Sequence, residues 1–167
     1  MFGTDPRSHE RLAQTLVQVA GRAGRAELPG EVIIQTHYPE HPLLACLVTH
    51  DYAAFAQLAL EERRASDWPP FAHLAAWRAE SVDRAPAFAF LEHVKEAAGG
   101  GNAAVRVLGP APSQMERREG RYRAQLLFQS KQRSALHELL HSTLSAVRDS
   151  RESRRVRWSV DVDPIEL

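Results

Sequence analysis

Strict alternation of apolar and polar residues marks two segments late in the chain. Tyr122, Ala124, Leu126 and Phe128 alternate with Arg121, Arg123 and Gln125, and Val156, Trp158, Val160 and Val162 alternate with Arg157, Ser159 and Asp161. Period-two alternation predicts strands over 121–130 and 155–162, each with one buried and one wet face. Between them Leu136, Leu139, Leu140, Leu144 and Val147 recur at helical spacing, which predicts a helix over 131–149 that covers the apolar side of a sheet. Upstream, 71–82 reads as a strand and 85–98 as a helix ended by Gly99-Gly100-Gly101. A short strand over 104–109 and a Pro- and Arg-containing connection over 110–120 follow. The order β-α-β-β-α-β predicts a split βαβ, ferredoxin-like α+β sandwich.

The pattern before residue 66 differs. Ser8 can cap a helix over 9–20 with Leu12, Leu16, Val19 and Ala20 on one face, broken by Gly21 and Gly24. Pro29-Gly30 reads as a turn, and Glu31–Thr36 as a short buried strand. Pro42 suits the first position of a helix. From there Leu44, Leu47, Val48, Phe55, Leu58 and Ala59 predict a helix pair, or one interrupted helix, over 42–65. Trp68-Pro69-Pro70-Phe71 cannot lie inside a helix. The domain boundary is placed there, giving 1–66 and 67–167.

Composition narrows the function classes. Of 167 residues, 44% are hydrophobic, enough for a core. Lys plus Arg and Asp plus Glu are both 21, so net charge does not point to nucleic acid. The distribution does, because arginines gather in 117–123 and 148–157, and a guanidinium makes forked contacts to phosphate. The single cysteine, Cys46, excludes disulfides within the chain and zinc sites built from several thiolates. No apolar run approaches a membrane span, and the first twenty residues lack the order of a signal peptide, so no membrane partner and a cytoplasmic location are expected. His37 and His41 lie in a proline-broken loop, and His137 and His141 share a helical face without an evident third ligand. No metal site is expected, nor a serine hydrolase, since no G-x-S-x-G elbow occurs.

One short run carries chemistry. Gln18-Val19-Ala20-Gly21-Arg22-Ala23-Gly24-Arg25 fits Q-x-x-G-R-x-G-R, the pattern of motif VI of superfamily 2 helicases. A triphosphate held between two lobes needs positive charge at its terminal phosphate in the transition state, and arginine supplies it in a permanently charged, planar form. Gly21 and Gly24 are expected to turn the backbone so that Arg22 and Arg25 face a cleft. The chain has no G-x-x-x-x-G-K-[ST] phosphate loop and no Asp-Glu pair after a strand to hold Mg²⁺, so alone it is expected not to hydrolyse ATP.

The resemblance extends beyond that motif. Gln18–Gln35, Thr36–Pro42, Trp68-Pro69-Pro70-Phe71, Val107–Pro112, Gly120-Arg121-Tyr122-Arg123 and Trp158–Ile165 resemble the primosomal replication-restart DNA helicases, the primosomal protein N-prime family. This resemblance implies that 1–66 ends the second RecA-like helicase lobe, including motif VI, and that 67–167 is a C-terminal domain similar in fold to ribosomal protein S10. A chain opening on the helix of motif VI is then expected to be a piece of a longer one. The implied activity is ATP-dependent unwinding at stalled forks and D-loops, with reloading of the replicative helicase. Implied partners are forked and single-stranded DNA, single-stranded-DNA-binding protein and other primosome proteins. ATP and Mg²⁺ would be bound mainly by an upstream lobe, and the family's zinc by an upstream cysteine-rich insertion. Arg22 and Arg25, with Gln18, match the motif's γ-phosphate positions. Arg133 matches a basic position that receives the acidic tail of single-stranded-DNA-binding protein in relatives. His137, one turn on, departs from the glutamine expected there.

Arg117, Arg118, Arg121 and Arg123 are the candidate DNA contacts of the second domain; docking against the helicase core is the alternative role. Tyr122, Phe128 and Trp158 fall on the apolar face, which argues against a base-stacking sheet platform of the RNA-recognition type. Three functions stay open: the tail of an active helicase, a non-catalytic DNA- and protein-binding adaptor derived from one, and, more distantly, an S10-like RNA-binding module.

Overall fold

The structure is a computed structural model that describes residues 8–23 and 31–167, and of 8 and 9 the backbone only. Gly24 and Arg25 lie outside the described residues. The chain divides into two compact units, Met1–Ser66 and Asp67–Leu167.

In the first unit three helices pack together: α1 (Ser8–Ala23), α2 (Pro42–Val48) and α3 (Tyr52–Ala65). Pro42 opens α2 behind His41, whose Nδ1 accepts from the Leu43 N–H at 3.3 Å. Asp51 caps α3 by accepting from the Ala54 N–H at 2.9 Å, so 42–65 is a helix pair. Ala13, Leu43, Leu44, Leu47, Phe55 and Ala59 form the core. Arg63 of α3 pairs with Glu10 of α1 at 2.9 Å. Two expectations fail here. Gly21 does not break α1, which runs on through Ala23. Residues 31–36 form no strand, and Ile33 is 84% exposed rather than buried. An apolar run reads alike as a buried strand or as a segment awaiting a neighbour, and only a pairing partner makes it a strand. The described residues of this unit contain no strand.

The second unit has the predicted α+β order: β1 (His73–Ser81), α4 (Arg84–Ala97), β2 (Arg106–Arg118), β3 (Arg121–Ser130), α5 (Arg133–Val147), a 3₁₀ turn (Ser153–Arg155) and β4 (Arg157–Val162). The sheet is antiparallel throughout in the order β2-β3-β1-β4, with both helices on one face. Ala87, Phe90, Leu91 and Val94 of α4 are buried at i, i+3, i+4 and i+7. On α5 the stripe is Leu136, Leu140, Thr143 and Val147, while Leu144 is 38% exposed. These residues meet Ala75, Trp77 and Ala79 of β1 and Ala124, Leu126 and Phe128 of β3. Four aromatics form the centre: Trp77 stacks on Trp158 at 5.9 Å, Phe90 lies 5.5 Å from Trp158, and Phe128 lies 6.1 Å from Trp77. Gly101 closes the loop after α4 at φ +105°, where a Cβ would stand 2.5 Å from the Val105 carbonyl oxygen.

The expected connection over 110–120 is instead the outer half of β2. Pairing with β3 slips between Leu108 and Ala111, and again between Pro112 and Arg117, where Ser113–Glu116 stand opposite Arg123 alone. The hairpin closes through Glu119 and Gly120, both at positive φ (51° and 76°), as a two-residue type I′ loop demands.

Replacing Phe90, which is fully buried, by Ala is expected to cost about 3–5 kcal/mol in urea unfolding of the chain. Ile33→Ala is expected to change stability by less than about 0.5 kcal/mol.

Candidate nucleic-acid interface

The antiparallel register decides which arginines share a surface. Arg118 stands directly across from Arg121, and Arg117 across from Tyr122. Cross-strand partners project to the same face. Pairing of β1 with β3 ends at Ser81–Tyr122, so the Arg118–Arg121 pair lies past the end of β1. Arg117 lies over the Tyr122 ring, 5.3 Å from its centroid. Tyr122 lies on the apolar face as expected but is only half-buried, because it sits beneath this arginine at the open end of the sheet. Arg118 is exposed, and its Nε lies 3.5 Å from the carboxylate of its neighbour Glu119. Three of the four arginines therefore lie at the hairpin tip, Arg118 and Arg121 on one face and Arg117 with Tyr122 on the other.

The fourth does not. The Nε of Arg123 donates to Glu80 Oε1 at 2.9 Å, and its side chain is 25% exposed. Glu80 is its register partner on β1, so the two face each other across the helix-free side of the sheet. The Arg123 guanidinium is thus engaged with a carboxylate of the neighbouring strand. The same face holds Arg78, whose Nη1 donates to Asp161 Oδ2 at 2.8 Å and whose Nη2 donates to the Glu166 carbonyl. Neither Arg78 nor Glu80 was singled out from sequence, although both fall on the polar phase of β1.

This face also carries a cavity of about 630 Å³. Its floor is Gln125, Arg123 and Arg78; its walls are the bulged Ser113–Met115 of β2 and the segment after β4. Gln125 is 5% exposed, and its Oε1 has no hydrogen-bond partner among the described residues. At the other end of the face Leu167 and Trp68 pack on Leu74, Ala76 and Leu127.

Across the sheet, α5 and β4 border a groove of about 540 Å³ over Trp77, lined by His137, Leu140, His141, Leu144 and Val160. Arg133 opens α5 and is 61% exposed, with Nη2 2.8 Å from Asp163 Oδ2. His137 is exposed on the same helix and lines the groove.

In the first unit Gln18 and Arg22 are exposed on α1, Arg22 in its last turn, with Gly21 helical beside it. Among the described residues no group of three or more His, Cys, Asp and Glu is placed to hold a metal ion, and no helix is long and apolar enough to cross a membrane.

The two kinds of arginine are separable by experiment. Arg123→Ala is expected to destabilise the chain by about 1–2 kcal/mol in urea unfolding, through loss of a charged hydrogen bond beside Glu80. Arg121→Ala, at the tip, is expected to stay within about 0.5 kcal/mol of the parent.

Comparison with known proteins adds the family. Residues 64–165 match the family model described as primosomal protein N C-terminal domain. Replication restart protein PriA of Haemophilus influenzae is 39% identical to the whole chain, which spans 23% of that relative's length. The Bacillus subtilis protein of the same name is 38% identical over 96% of the chain, corresponding to 20% of its own length. Among solved structures, the de novo designed protein Foldit4 is similar over 56% of the chain and 97% of its own, with a TM-score of 0.43 and 10% identity. With the larger unit matched almost from end to end, the chain belongs to the primosomal protein N C-terminal domain family.

Proposed function

We propose that the chain is the DNA- and partner-binding C-terminal part of an ATP-dependent replication-restart helicase. The observation that carries this reading is the hairpin tip, where Arg118 and Arg121 stand opposite each other beyond the end of β1 on a two-residue turn, with Arg117 one residue before them at the last register of β1. Arginines fixed at strand spacing on a stiff arm suit the phosphates of forked or single-stranded DNA.

The first unit fits the end of a helicase lobe whose remainder lies elsewhere in a longer chain. Val17, Val19, Val48 and Ile33 are 47%, 49%, 66% and 84% exposed, an apolar surface of the kind another layer of the same lobe covers. Arg22 and Arg25, with Gln18 in the same motif, would face the terminal phosphate of ATP. Bound ATP with Mg²⁺ supplies the phosphoryl group; this chain supplies permanent positive charge beside it. In the second unit Arg133 would exchange its exposed pairing with Asp163 for the acidic tail of single-stranded-DNA-binding protein, at little cost for a surface ion pair. His137 and the neighbouring groove would take the tail's apolar end. Assembly with other primosome proteins belongs to the same reading.

Affinity of the chain for a single-stranded oligonucleotide is expected to fall steeply with salt. Removing a tip arginine that neutralises one phosphate is expected to flatten the log–log slope by about 0.7. Binding that hardly responds to salt, measured by fluorescence anisotropy, sinks the phosphate reading.

Residues 1–167 alone are expected to release no phosphate from ATP with or without DNA. In the complete helicase Arg22→Ala is expected to slow DNA-stimulated hydrolysis on the order of 10³-fold. Wild-type turnover by the variant removes Arg22 from the nucleotide site.

A further inference from the structure

The cavity on the helix-free face has a chemistry different from the hairpin tip beside it. Three arginines line it, Arg78, Arg118 and Arg123, and so do three carboxylates, Asp161, Asp163 and Glu166. The charges balance, and Arg78 and Arg123 are already held by Asp161 and Glu80. A phosphate gains nothing from such a pocket, whereas a neutral, planar, polar group fits it. Two further features specify the group. Gln125 lies at the floor, nineteen-twentieths buried, with a carboxamide oxygen that no donor among the described residues reaches. A buried amide left without a partner is costly, so a ligand that satisfies it recovers binding energy. The terminal torsion of glutamine is soft, and either its oxygen or its NH₂ can be turned to the cavity. Met115 from the β2 bulge and Ile165 from the segment after β4 also line it, 57% and 66% exposed, and bring apolar surface from the two edges of the sheet.

From these residues we infer that the cavity takes a nucleobase turned out of a single strand whose phosphates lie on the hairpin tip. Gln125 reads an edge of the base, while Met115 and Ile165 cover its apolar faces. A volume of about 630 Å³ is in the range of small-molecule sites and holds one base with its sugar. Arg118 lines the cavity and also stands across from Arg121, so the tip and the pocket are continuous. This inference rests on the DNA-binding reading and deepens it: the domain engages the base as well as the backbone. The four-residue bulge of β2 has a use on this reading, because it forms the wall that carries Met115.

The test compares an ordinary single-stranded oligonucleotide with one of equal length made of abasic sugars, binding to the full chain at one salt concentration. The ordinary strand is expected to bind about tenfold more tightly, the effect of one stacked base. Gln125→Leu is expected to bring the two strands within about twofold of each other and to leave the salt slope unchanged, since the phosphates stay on the tip. Arg118→Ala with Arg121→Ala is expected to flatten the slope for both strands alike. If Gln125→Leu does not fold, Met115→Ala with Ile165→Ala, both exposed, are expected to narrow the same difference. Equal affinity for the two strands, with strong salt dependence, overturns the base pocket and leaves the phosphate reading standing. A folded Gln125→Leu that keeps the full preference also overturns it. Failure to bind either strand removes both.

Discussion

Everything in the second unit depends on burying one face of the sheet beneath α4 and α5. Trp77, Trp158, Phe90 and Phe128 lock that face, and their contacts fix the phase of β1, β3 and β4 together. A slip of one residue in any of these strands would turn its aromatic to solvent and its arginine inward. The register that buries Trp77 against Trp158 is therefore the same register that sets Arg123 opposite Glu80 and leaves Arg118 beside Arg121 at the tip. Positions of charge on the free face follow from packing on the hidden one.

This coupling explains what can be read from sequence. The alternation at Tyr122–Phe128 and Val156–Val162 is strong because those strands are wet on one side, so strand order and buried face are legible. Leu136, Leu140 and Val147 are legible for the same reason. The fate of individual arginines is not. Arg118, Arg121 and Arg123 look alike in sequence, and only the pairing with β1 reveals that Glu80 occupies the last of them. The outer half of β2 escapes a sequence reading because Pro110, Pro112 and Gly109 suggest a loop, and its bulged pairing with β3 has no period. The cavity escapes with it, since half its wall is that bulge.

In the first unit the helices of 42–65 are legible from spacing, with Pro42 in the expected first position of α2. Glu31–Thr36 suggests a buried strand because Val32, Ile33 and Ile34 form an apolar run, yet the neighbours that would pair with them are not among the described residues. Composition records the need for burial, not whether the covering partner is at hand. The motif around Arg22 is legible as a pattern, but its second arginine lies outside the described residues, so the geometry of the pair stays with the family resemblance.

The irregularity of β2 also bears on how the domain behaves among its own kind. It is an edge strand, and thirteen residues of backbone on its outer side offer a template for another chain. Two prolines without N–H groups, two breaks in register and a run ending Glu116-Arg117-Arg118 deny that template a flat, continuous ladder. The feature that shapes a wall on the free face thus also keeps neighbouring copies from zipping edge to edge, so that this long arm can remain in water as a solitary finger.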